Sequence, residues 1–98
     1  MSCGGIGKAQ PATPEVQNIV DNVKSDVQSK TNQVLDEFTA VSYATQLVAG
    51  TNFFIKVRIG LGRFIHIRVY RTLPHAGETL EFSSMQENKN EDDEITYF

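Results

Sequence analysis

The apolar positions change period once along the chain. Val16, Ile19, Val20, Val23, Val27 and Val34 recur at helical spacing, with Asp21, Lys24, Ser25, Gln28 and Ser29 falling mainly on the other side. That pattern predicts an amphipathic helix from about Pro14 to about Leu35. Thr13-Pro14-Glu15 supplies its start. Thr13 suits the N-cap, Pro14 the first helical position, and Glu15 the positive end of the helix dipole. The many valines are mediocre helix formers, so this helix needs a surface to pack on.

After the helix the period becomes two. Phe53, Ile55, Val57 and Ile59 alternate with Phe54, Lys56 and Arg58, and Ile65, Ile67 and Val69 alternate with His66, Arg68 and Tyr70. Each is the pattern of a strand with one buried face. Gly60-Leu61-Gly62-Arg63 reads as the turn between them. Val41, Tyr43, Thr45 and Leu47 form a weaker strand before them, turning at Val48-Ala49-Gly50-Thr51. Leu73-Pro74-His75-Ala76-Gly77 reads as a later turn, and the polar stretch Gln86 to Glu94 precedes a last short strand ending Thr96-Tyr97-Phe98. An antiparallel meander with one apolar and one polar face calls for the helix to cover the apolar face. Residues 1–12, rich in glycine and small residues without period, are expected to be a flexible tail.

In a meander, successive turns alternate between the two ends of the sheet. The turns at Val48 to Thr51 and at Leu73 to Ala76 should therefore emerge at one end, and Gly60-Leu61-Gly62 at the other. Both co-located turns carry aliphatic side chains where polar residues are usual. Either Leu47 or Leu73 alone could simply close a strand and point inward; two such turns at one end favour a contact surface. Pro74 would also lower the entropy lost when that surface docks.

Length and charge narrow the function classes. Ninety-eight residues suit one domain, 1–98. The net charge of -3 and the lack of a Lys/Arg run argue against nucleic acid or an anionic membrane surface as partner. The single cysteine, Cys3, allows no intrachain disulfide, and no signal peptide or long apolar run is legible, so a cytoplasmic location is expected.

Gln46-Leu47-Val48-Ala49-Gly50 resembles the Gln-x-Val-x-Gly signature of the cystatin superfamily. Gly4 near the N-terminus, one helix, that pentapeptide in the first hairpin and Leu73-Pro74-His75 in a later one stand in the order seen in stefins, the disulfide-free branch. Pro11-Ala12-Thr13-Pro14, Val48-Ala49-Gly50-Thr51-Asn52, Phe54-Ile55-Lys56-Val57 and Thr96-Tyr97-Phe98 are also similar to stefin text. Leu47 stands where many members carry valine, and Met85 where stefins often have tyrosine.

The resemblance implies an α+β, cystatin-like fold: a five-stranded antiparallel sheet, spanning about 38–98, wrapped around one helix, with a short first strand near Lys8 to Gln10. It implies a reversible, competitive, tight-binding inhibitor of papain-like, cathepsin-type cysteine proteases, which plugs the enzyme cleft with a wedge of three parts. The residues so implicated are Cys3, Gly4 and Gly5 in the tail, Gln46, Leu47, Val48, Ala49 and Gly50 in the first hairpin, and Leu73, Pro74 and His75 in the second. Gly4 would let the tail backbone lie close to the enzyme. Val48, Ala49, Leu73 and Pro74 would supply apolar contact, and Gln46 would support its loop by hydrogen bonding. The alternative is a non-inhibitory interaction module of the same fold. A monomer is expected, and exchange of the first hairpin between chains would give a domain-swapped dimer.

Other chemistry finds weak support. No pattern sets Cys3 beside His66 or His75 as nucleophile and base, so no enzyme is expected. Two histidines make no zinc site, and Glu91-Asp92-Asp93-Glu94 lacks the spaced ligands of a calcium loop and reads as solvated, so neither metal nor cofactor is expected. Gly60-x-Gly62 joins two strands and is no dinucleotide fingerprint. His66 is expected to be solvated on the polar face of its strand.

Overall fold

The computed structural model describes residues 5–98. One helix, α1 (Pro14–Thr31), packs against a sheet of five strands: β1 (Gln10–Pro11), β2 (Thr39–Val48), β3 (Gly50–Gly60), β4 (Arg63–Arg71) and β5 (Leu80–Lys89). The strands lie in chain order, and every neighbouring pair is antiparallel. The fold is the α+β architecture that the two hydrophobic periods and the resemblance imply. The short first strand is Gln10–Pro11 rather than the Lys8 to Gln10 segment expected.

The helix starts as its sequence predicts and ends earlier. Thr13 Oγ1 accepts from the Val16 amide at 3.2 Å, and Pro14 opens the first turn. At the other end Asn32 turns left-handed, with φ 59° and ψ 33°, and its amide returns to the Gln28 carbonyl. The Gln28 side chain then accepts from the Leu35 amide at 2.8 Å. These bonds end α1 at Thr31, four residues before the expected Leu35, because asparagine tolerates the left-handed cap better than most residues. Leu35 still reaches the core, whereas Val34, placed by its spacing on the helix's apolar face, is 84% exposed.

The inner sheet face and the helix share one core. Val16, Ile19, Val20, Val23 and Val27 meet Phe53, Ile55, Val57, Ile65, Ile67 and Val69 there, and Met85 packs at its margin. Burial on this scale outweighs the weak helix propensity of valine. Gln17 ties α1 to the start of β2, donating to the Phe38 carbonyl at 3.0 Å and accepting from the Ala40 amide at 2.9 Å. A register irregularity between Ala40 and Ser42 interrupts the alternation expected from Val41, which is left exposed while Ala40 is buried.

The outer face corrects two expectations. Thr96-Tyr97-Phe98 forms no strand; the fifth strand is Leu80–Lys89, which takes in part of the stretch read as polar loop. The C-terminal tail instead crosses the outer face. Ile95 and Phe98 pack with Ala44 and Phe54, and Arg68 donates to the Phe98 carbonyl at 2.7 Å. The Lys56 ammonium donates to the Glu91 carbonyl and, at 2.7 Å, to that of Asp93. His66, expected to be solvated, is completely buried on this face. Among the described residues no helix is long and apolar enough to cross a membrane.

Candidate functional site

Strand register brings the two aliphatic turns together. Val48 pairs with Gly50 at the tip of the first hairpin, and Thr51 pairs with Arg71, from which the β4–β5 connection departs. Both turns leave the same end of the sheet. Gly60 pairs with Arg63 at the far end, where Leu61 projects. The N-terminal segment runs antiparallel to β2, with Gln10 opposite Tyr43 and the Gly7 amide donating to the Thr45 carbonyl at 2.8 Å. It therefore heads toward Leu47 and Val48, and exposed Gly5 belongs to this approach. Cys3 and Gly4 lie outside the described residues.

The first hairpin is tight and greasy. Leu47 is 81% and Val48 49% exposed, and Ala49 occupies the tip. Gly50 has φ 114°, and a β-carbon there would stand 2.5 Å from the Arg71 carbonyl oxygen and 2.7 Å from the Tyr70 hydroxyl. Only glycine combines that backbone conformation with that closeness. Behind the tip, Gln46 is buried, and its Oε1 accepts from Asn52 Nδ2 at 3.0 Å across the strand pair. Gln46 thus supports the loop from inside. The Tyr70 hydroxyl donates to the Ala49 carbonyl.

The second turn is stiffened differently. Leu73 is extended, Pro74–Ala76 forms one turn of 3-10 helix, and Gly77 closes it in the left-handed region. The Ala76, Gly77 and Glu78 amides bond back to Leu73, Pro74 and Leu73 carbonyls. Thr72 and Thr79 clamp the base, through an amide-to-carbonyl bond of 3.0 Å and an amide-to-hydroxyl bond of 2.8 Å. Leu73, Pro74 and His75 are all exposed. At the root, Arg71 reaches Glu15 of α1 at 2.7 Å and lies 4.9 Å over the Phe53 ring.

These residues leave apolar side chains exposed at one end of the sheet. Apolar side chains project from two short, internally bonded turns, which limits the ordering cost of docking. Among the described residues no three His, Cys, Asp or Glu side chains converge to hold a metal ion. His66 is remote from both turns in the strand register, paired with Lys56. Its pKa falls from 6.5 to about 4, first through burial, then through the positive charges of Lys56 and Lys89, with Asp93 opposing.

Tyr70 and Asn52 escaped sequence reasoning. Both stand at outward positions of their strands, which the alternation does show. Their link to the hairpin tip depends on the cross-strand row Gln46, Asn52, Tyr70, visible only once the register is known.

Known proteins resemble this chain over its whole length. The cystatin domain matches residues 4–92. Cystatin-A of Homo sapiens is 48% identical over 95 residues, covering 97% of each chain. Cystatin-B of Homo sapiens is 48% identical over 98 residues, covering 100% of both chains. Cystatin-A1 of Sus scrofa is 46% identical over 98 residues, covering all of this chain and 95% of its own.

Proposed function

Because the chain belongs to the cystatin family, whose members are protease inhibitors rather than enzymes, we propose that it is an intracellular, reversible, competitive inhibitor of papain-like cysteine proteases of the cathepsin type. The whole chain acts as one domain, and residues 1–98 meet the enzyme through a single edge. Cys3, Gly4 and Gly5 occupy one side of the cleft, Leu47, Val48, Ala49 and Gly50 its centre, and Leu73, Pro74 and His75 the other side, with Gln46 holding the central loop. Inhibition is steric: the edge fills the groove and offers no peptide bond for attack.

The observation that supports this reading most is the shared location of exposed Leu47, Val48, Leu73 and Pro74, with the Gly5 segment running toward them. An exposed apolar edge of this kind gains affinity by leaving water.

Titration of papain tests the reading. The wild-type monomer should abolish activity at one equivalent. Val48→Asp should cost about 1–3 kcal/mol of binding, as a truncated interface anchor does. Gly4→Glu should raise the dissociation rate. A folded monomer that leaves papain and cathepsin-type enzymes active would reject inhibition and favour the non-inhibitory module.

A further inference from the structure

We propose that Tyr70 is a positioning residue that locks the first hairpin to the root of the second, so that the two loops present one preset edge. The inference rests on the inhibitory reading of that edge for its functional consequence, but its structural part stands alone.

Three observations converge on this side chain. The Tyr70 hydroxyl donates to the carbonyl of Ala49, the residue at the hairpin tip. The missing side chain of Gly50 makes room for it: a β-carbon there would lie 2.7 Å from the hydroxyl and 2.9 Å from the Tyr70 ring. Tyr70 also sits one residue before Arg71, whose ion pair with Glu15 anchors the start of the second turn to α1. One tyrosine thus spans β4 and the tip between β2 and β3, while its own backbone leads into Leu73 and Pro74.

The physical need is plain. The first hairpin turns through a single residue, Ala49, and presents exposed Leu47 and Val48. Carbonyls at such a tip have no ladder partner, and solvent alone would leave the tip free to rock about the strand ends. A phenol oxygen supplied from the neighbouring strand satisfies the carbonyl and fixes the tip relative to the second turn. Fixing it in the free protein lowers the ordering cost on docking, and this gain appears mainly in the dissociation rate. Phenylalanine would fill the same space without the bond, so the hydroxyl itself is the device.

Tyr70→Phe isolates it. In the free protein, amide hydrogen exchange at Val48 and Gly50 should quicken several-fold, while the α1 core amides stay unchanged. Against papain, the dissociation rate should rise about 3- to 10-fold, the worth of one hydrogen bond, with the association rate within about twofold. Tyr97→Phe, which removes a hydroxyl from the exposed ring tilted against Phe54 on the outer face, serves as control and should change neither readout. Unchanged exchange at the tip in Tyr70→Phe overturns the lock. Faster exchange with an unaltered dissociation rate overturns its role in binding. If the wild-type protein leaves papain active, the inhibitory reading fails, and exchange at the tip still decides whether the lock exists.

Discussion

Lys56 and His66 stand opposite each other on β3 and β4, one with an ammonium held by backbone carbonyls and the other with both ring nitrogens buried and without a hydrogen-bond partner among the described residues. The pair explains how the outer face is closed. Lys56 grips the tail at Glu91 and Asp93, and the imidazole beneath stays neutral because burial and the Lys56 and Lys89 charges oppose its protonation.

The first prediction is a pH dependence. The folded-state pKa of His66 is lowered from 6.5 to about 4, so the unfolded chain takes up the proton first as pH falls. The stability tied to neutral His66 is complete above pH 6.5 and drains away down to pH 4, a loss of about 3 kcal/mol for a shift of this size. Urea unfolding of wild type and His66→Leu at pH 7 and pH 4 checks it. The variant should lose markedly less stability across that interval; parallel losses would contradict the account.

Lys56→Met should act on the same cluster from the other side. Removing the ammonium leaves the Glu91 and Asp93 carbonyls without their donor and should cost about 1–3 kcal/mol. It should also raise the His66 pKa, because one of the charges opposing protonation is gone. An NMR titration of the His66 ring reads the shift directly.

Gly50→Ala should damage the edge while sparing the core. The new β-carbon meets the Arg71 carbonyl at 2.5 Å in a backbone with φ 114°, and the strain should cost about 1–3 kcal/mol. Thermal unfolding should show that loss, and papain titration should show weaker inhibition than the stability change alone accounts for at temperatures where the variant remains folded.

Val34→Ser should be nearly silent. With 84% of Val34 exposed beyond the helix cap, the change should fall within about 0.5 kcal/mol. Val27→Ala, on the fully buried helix face, should cost about 2 kcal/mol. Equal losses in the two variants would place Val34 back on the helix.

The helix start, the strands on either side of Gly60 and the shared location of the two aliphatic turns were all legible in the sequence. Each depends on local chemistry: a capping threonine before proline, alternation along a strand, and the parity of turns in a meander. The motif residues Gln46 to Gly50 and Leu73 to His75 were legible for the same reason, being contiguous in the chain.

What escaped the sequence depends on partners distant along it. Thr96-Tyr97-Phe98 carries strand-like residues, yet the tail finds a better site over Phe54 and Ala44 than any sheet edge offers. His66 alternates like a solvent-facing residue, yet it is completely buried on the outer face. Alternation along a strand assigns a side chain to a face; which faces are then covered is decided by tertiary packing. The sequence by itself therefore determined the helix, the strands β2 to β4, their order and the end of the sheet that carries the loops, but not β5, whose outward polar residues read as loop. The tertiary structure alone decided that Asn32 stops the helix, that the outer face becomes a second core, and that Tyr70 reaches Ala49, because each follows from backbone direction and register between segments far apart in the chain.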